Sequence, residues 1–101
     1  MRIYFERSGG LLGSKLKTAV DTTQLPAEEA EEWERVLTED QFLELPPVVE
    51  PTMRVDEFSY KMTVITSEWQ HTARFTDVNT PEEMQPVIRQ LTIMARQSPD
   101  L

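Results

Sequence analysis

Along residues 2–7, Ile3 and Phe5 alternate with Tyr4 and Glu6, the two-residue period of a strand buried on one face. Leu16, Thr18 and Val20 then alternate with Lys15, Lys17 and Ala19, which predicts a second strand whose polar face carries two lysines. The glycine-containing stretch between them reads as the loop of a hairpin. After Asp21-Thr22-Thr23 the period lengthens: Ala30, Trp33, Val36 and Leu37 make one helical stripe. Pro26 suits the first turn of that helix, and Glu28, Glu29, Glu31 and Glu32 sit early, where the helix dipole favours negative charge. The helix is expected to run to about Asp40. Phe42, Leu43 and Leu45 follow as a short apolar turn, ended by Pro46-Pro47 because proline disfavours α geometry in the residue before it. Residues 46–57 hold three prolines and no period, so an extended crossing segment is expected there.

Phe58, Tyr60, Met62 and Val64 alternate with Ser59, Lys61 and Thr63, the strongest strand pattern in the chain. Residues 67–70 make a turn, and His71, Ala73 and Phe75 alternate with Thr72, Arg74 and Thr76 in a fourth strand. Thr80 before Pro81-Glu82-Glu83 predicts an N-cap with Pro81 at the first helical position. Met84, Val87, Ile88, Leu91 and Met94 or Ala95 mark the apolar face of that second helix, with Pro86 in its second turn. The order ββαββα predicts an α+β two-layer sandwich, an antiparallel four-stranded sheet with two helices on one face. Residues 1–97 are expected to form a single domain and residues 98–101 a frayed tail. Strand order stays open. If the third strand pairs with the first, Trp69 in the second hairpin turn lies at the far end of the sheet from the glycine loop; if it pairs with the second, the two turns share an end.

Composition narrows the function classes. A chain of 101 residues is long enough for one core without staples, and the absence of cysteine removes disulfides, thiolate metal sites and a cysteine nucleophile. Eighteen acids against ten bases give a net charge of −8, which opposes contacts with phosphates, so nucleic acid and anionic membrane are not expected partners. Eight of the acids lie between Glu28 and Glu44, whereas Arg2, Lys15, Lys17, Lys61 and Arg74 fall on the polar faces of strands. An acidic helix layer is therefore expected to back a sheet whose open face is basic, either as plain solvated surface or as a partner-facing one. The charged start of the chain has no apolar run of signal-peptide type, no stretch is long and apolar enough to span a membrane, and a cytoplasmic or unconventionally exported protein is expected, with the cytoplasm the location assigned.

The residues offer little for catalysis. His71 is the only histidine, and on a strand it reads as structural, facing a polar group at the core edge. The Glu28 to Glu32 run reads as solubilising charge, and Asp77-Val78-Asn79 lacks the glycine and later glutamate of an EF-hand loop. No nucleotide-binding glycine motif, phosphate loop or nucleophile elbow occurs, so neither an enzyme, a metal site nor a cofactor is expected. The glycines are more informative: Gly9, Gly10 and Gly13 fall within five residues and enclose Leu11-Leu12. Either the glycines supply turn geometry while a leucine folds back onto the sheet, or they let the backbone approach a partner while a leucine anchors in its pocket. Trp69 invites the same two readings.

The run Arg7-Ser8-Gly9-Gly10-Leu11-Leu12-Gly13 after a short strand resembles the emfourin (protealysin inhibitor) family of small bacterial inhibitors of thermolysin-like zinc metallopeptidases. Gln24-Leu25-Pro26 before an acidic helix, Phe42-Leu43-Glu44-Leu45-Pro46, residues 56–64 with Tyr60, and residues 71–77 followed by Pro81 are similar to the family in order and spacing. The resemblance spans nearly the whole chain. It implies a non-catalytic, cytoplasmic bacterial inhibitor of α/β build whose partner is a thermolysin-like metallopeptidase, with the free protein monomeric. Two departures stand out: Leu11-Leu12 replaces an expected aromatic and small residue, and residues 67–70 contain no glycine. Carried onto this chain, the partner-binding residues are expected to be Ser8, Gly9, Gly10, Leu11, Leu12 and Gly13, with Trp69 beside them if the sheet order allows. The competing reading is a regulatory module that docks a non-protease partner through its sheet face.

Overall fold

A computed structural model describes residues 1–9, 14–38, 40–45 and 58–97. Strands β1 (Arg2–Gly9), β2 (Ser14–Asp21), β3 (Phe58–Ile65) and β4 (Gln70–Thr76) form one antiparallel sheet in the order β2-β1-β3-β4. Helices α1 (Ala27–Thr38) and α3 (Gln85–Gln97) are the main helices, with a one-turn helix α2 (Asp40–Leu43) after α1. The fold is the expected α+β ββαββα arrangement, and the structure supplies the strand order that periodicity leaves open.

Alternation fixes which face is buried. Ile3, Phe5, Tyr60, Met62, Val64, Ala73 and Phe75 point to one side and meet Trp33, Val36 and Leu37 of α1, Phe42 of α2, and Val87, Ile88 and Leu91 of α3. An aromatic row crosses three strands, with the Tyr60 ring 5.9 Å from Phe5 and stacked on Phe75 at 5.3 Å. Central strand β3 carries the most buried inward positions, Tyr60, Met62 and Val64. Edge strand β2 turns Thr18 inward and presents Lys15 and Lys17 outward, a composition that discourages pairing with another chain.

Both connections into the main helices differ in detail from the pattern. After β2 the chain makes a 3-10 turn at Thr22–Gln24, where the Asp21 carboxylate accepts from the Thr23 N–H at 3.0 Å and from its hydroxyl at 2.8 Å. Pro26 stands just outside α1 and its carbonyl accepts the first helical bond, from Ala30 N–H. At the second helix the Thr80–Pro81 start is corrected. The Thr80 hydroxyl donates to the Thr76 carbonyl at 2.7 Å and caps nothing; Glu82–Met84 form a 3-10 turn, and the α-helix begins at Gln85. Pro86 gives the reason. An α-helix starting at Pro81 would need an N–H from residue 86 for the Glu82 carbonyl, which proline lacks and whose ring would clash there. Starting at Gln85 puts Pro86 in the first turn, where the missing N–H costs nothing.

The first helix ends at Thr38, close to the expected boundary, and α2 drives Phe42 fully into the core. Residues 46–57, read above as an extended crossing, and 98–101, read as a frayed tail, lie outside the described residues. Among the described residues no helix is long and apolar enough to cross a membrane.

Candidate functional site

The glycine-rich hairpin sits at the end of the sheet where β1 stops. Pairing along β1 and β2 continues without a break to Gly9↔Ser14, and on its other side β1 pairs with β3 as far as Gly9↔Phe58. The last residue before the loop is therefore held from both sides. Gly9 has φ 97°, a left-handed value that a Cβ would resist, so glycine is required at this position. Ser8 and Gly9 are half-buried in the strand end; Gly10, Leu11, Leu12 and Gly13 lie outside the described residues.

A side-chain network braces the same end. The Asp77 carboxylate accepts from the Tyr60 hydroxyl at 2.6 Å through one oxygen and from the Phe58 N–H at 3.1 Å through the other. It ties the start of β3 to the turn after β4. Arg7, pointing to the helix side of β1, places its guanidinium 4.0 Å from the centre of the Phe58 ring. Burial, and then the hydrogen bond and charge of Asp77, push the Tyr60 hydroxyl well above the usual phenol range, so it remains a donor across the physiological range. A groove of about 350 Å³ opens beside this network, lined by Arg7, Asp77, Arg89 and Arg96 among others. Sequence reading passes over Arg7, Tyr60 and Asp77 as a unit. Asp77 draws notice as a failed calcium loop and as the end of the stretch 71–77, and nothing local says that its carboxylate faces Phe58 and Tyr60.

The structure separates Trp69 from the loop. Because β3 pairs with β1, the turn between β3 and β4 lies at the opposite end of the sheet, seven residues or about 23 Å along β1 from Gly9. The indole is half-buried against the core, and Thr66 closes the turn: its hydroxyl accepts from Trp69 N–H at 3.0 Å, and its N–H donates to the Trp69 carbonyl at 2.8 Å. Trp69 thus reads as core-edge packing, and the geometry does not bring it together with Ser8 and Gly9.

His71 takes the structural place expected of it. Its Nε2 lies 3.1 Å from the Leu45 carbonyl oxygen and its ring meets Phe42 edge-on at 5.2 Å, fastening the segment after α2 to β4. Among the described residues no group of three His, Asp or Glu side chains is arranged to hold a metal ion. The open face of the sheet carries Arg2, Lys15, Lys17, Lys61 and Arg74, all exposed, on the side away from the core. What the arrangement offers at the hairpin is a strand end at Gly9 held from both sides and braced by the Asp77 network.

No curated protein and no solved structure gives a match to this chain. The family model described as Emfourin matches residues 5–92, from the middle of β1 into α3, so it takes in the hairpin, the acidic helix and the Asp77 turn together. By that match over most of its length, the chain belongs to the Emfourin family, an inhibitor family.

Proposed function

We propose that the chain inhibits thermolysin-like zinc metallopeptidases by inserting the loop of residues 8–13 into the enzyme's cleft. Family membership supports a role of metallopeptidase-inhibitor kind with a protease as the protein partner. In this reading the inhibitor is a non-catalytic cytoplasmic monomer, and its contact residues are Ser8, Gly9, Gly10, Leu11, Leu12 and Gly13. The zinc belongs to the target. Leu11 or Leu12 occupies the apolar subsite that enzymes of this class are expected to present just after the scissile bond.

The observation that carries the mechanism is the double pairing of β1 up to Gly9, with the Asp77 network behind it. Rigid presentation lowers the ordering cost of binding, which is how a short loop gains affinity. Trp69, at the far end of the sheet, takes no part in a loop-first contact.

The test is inhibition of a thermolysin-like peptidase with a peptide substrate. Replacing Leu11 and Leu12 together by Ser should raise the inhibition constant about 30-fold or more, since an anchoring side chain is worth about 2 kcal/mol or more. An unchanged constant for a folded double variant sinks the loop assignment. Full peptidase activity at a large molar excess of the parent chain sinks the inhibitor reading itself.

A further inference from the structure

The open face of the sheet departs from what a solvated surface needs. Five of the chain's ten basic residues, Arg2, Lys15, Lys17, Lys61 and Arg74, lie there, against Glu6 and Asp21 from eighteen acids. Glu6 is engaged by Lys15 at 3.2 Å, and the Asp21 carboxylate is taken by Thr23. Register puts Lys17, Glu6, Lys61 and Arg74 in one row across all four strands, with Lys61 directly opposite Arg74. Like charges facing each other across a strand pair are destabilising, and among the described residues no carboxylate forms an ion pair with Lys17, Lys61 or Arg74. Glu6 stands between Lys17 and Lys61 and offsets part of the row, but the Lys61–Arg74 juxtaposition breaks a local rule with no carboxylate between the two, which is a mark of function.

The next row supplies an apolar complement. Tyr4, 43% exposed, stands beside the small Ala19 and Thr63, and together with Lys17, Lys61 and Glu6, whose carboxylate is drawn toward Lys15, they bound a shallow depression of about 350 Å³. Rows on one sheet face repeat about every 7 Å along the strands. The face therefore matches a ligand with carboxylates and an apolar side chain about 7 Å apart, the spacing of alternate residues in an extended segment.

We infer that this face is a second docking surface, for an acidic segment of a partner protein, with carboxylates over Lys17, Lys61 and Arg74 and an apolar side chain on Tyr4. It goes beyond the inhibitory loop and does not depend on it, because Lys17, Lys61, Arg74 and Tyr4 lie along the strands, three or more residues from the hairpin end at Gly9 and Ser14. The charge of the rest of the molecule does not prevent this contact. Charges more than about 8 Å away are largely screened at physiological salt, and the acidic helix layer lies on the far side of the sheet. A nucleic acid fits less well, since its continuous phosphate charge runs past a row of three cations toward a molecule carrying −8.

The experiment is an NMR amide-shift titration of the full chain with a short synthetic peptide of Glu-Ser-Leu-Ser repeats, which sets Glu and Leu about 7 Å apart on one face of an extended segment. Expected are shifts clustered at Tyr4, Lys17, Lys61 and Arg74, and an affinity that falls about tenfold between low ionic strength and about 0.2 M salt. The Lys61→Glu/Arg74→Glu variant should lose at least about tenfold in peptide affinity, and the milder Lys61→Gln/Arg74→Gln variant an intermediate amount with its spectrum otherwise unchanged. Shifts elsewhere or none, equal binding of the same peptide with Gln in place of Glu, retained binding by the Gln variant, or tighter binding of a single-stranded oligonucleotide to the same face would overturn the inference. The shift map decides it whether or not a peptidase is inhibited.

Discussion

Removing one oxygen from Tyr60 tests whether the Asp77 network holds the hairpin end. Tyr60 is 8% exposed and its hydroxyl lies 2.6 Å from Asp77, while its ring packs between Phe5 and Phe75. Tyr60→Phe keeps the ring contacts and deletes only the bond. Asp77 is exposed, so the abandoned carboxylate oxygen rehydrates and leaves no buried orphan. The loss is then the net worth of a hydrogen bond to a charged group, taken at the lower end for this solvated acceptor, about 1.5 kcal/mol. For a domain of this size that lowers the midpoint of thermal unfolding by about 6–12 °C, read by circular dichroism at neutral pH. Asp77→Ala also strands the Phe58 N–H and must cost more than Tyr60→Phe. In the double variant the two losses must fall short of additive, because they share one bond. A midpoint within about 2 °C of the parent, or strict additivity, would refute the network.

The same group sets an alkaline signature. The folded state raises the Tyr60 hydroxyl above its ordinary value of 10.0, through burial first and Asp77 second. An acid held neutral by the fold contributes stability that is complete below its unfolded value and declines once pH exceeds about 10, as the unfolded chain releases the proton first. Stability should therefore fall above pH 10 by at most about 1.4 kcal/mol per pH unit from this residue. Tyr60→Phe should flatten that fall. A parent and variant with parallel alkaline unfolding curves would remove the argument.

Three further outcomes are expected. Gly9→Ala places a Cβ on a φ of 97° and should cost about 1–2 kcal/mol in urea unfolding, together with weaker peptidase inhibition; a neutral result contradicts the left-handed strand end. Phe42→Ala empties a fully buried site between α1, β4 and His71 and should destabilise by about 3–5 kcal/mol, with line broadening of the His71 ring as its edge contact goes. In an NMR pH titration Asp21 should ionise below 3.8, because the Thr23 hydroxyl and then its N–H favour the carboxylate; Thr23→Val should move the midpoint upward, and its contribution to stability is present above the unfolded value and lost as pH falls.

Local chemistry alone determined the elements of this protein. Two-residue alternation marked all four strands and their buried faces, since a half-buried strand must alternate, and the 3.6-residue stripes through Trp33 and Leu91 marked both helices. The hairpin and its glycines were legible for the same reason: a left-handed φ at Gly9 is a single-residue requirement. Strand order was not, because periodicity states which face a residue takes and says nothing of which strand lies beside it. Only the pairing of β3 with β1 sent Trp69 to the far end from the hairpin, and only the register between β3 and β4 set Lys61 opposite Arg74 and carried Asp77 to Phe58 and Tyr60. These contacts join residues up to 19 apart or on different strands, and their partners are chosen by the core that closes around them. The helix start at Gln85 falls between the two cases, since Pro86 was visible in the sequence but its veto on the Glu82 carbonyl acts only once helical geometry is imposed.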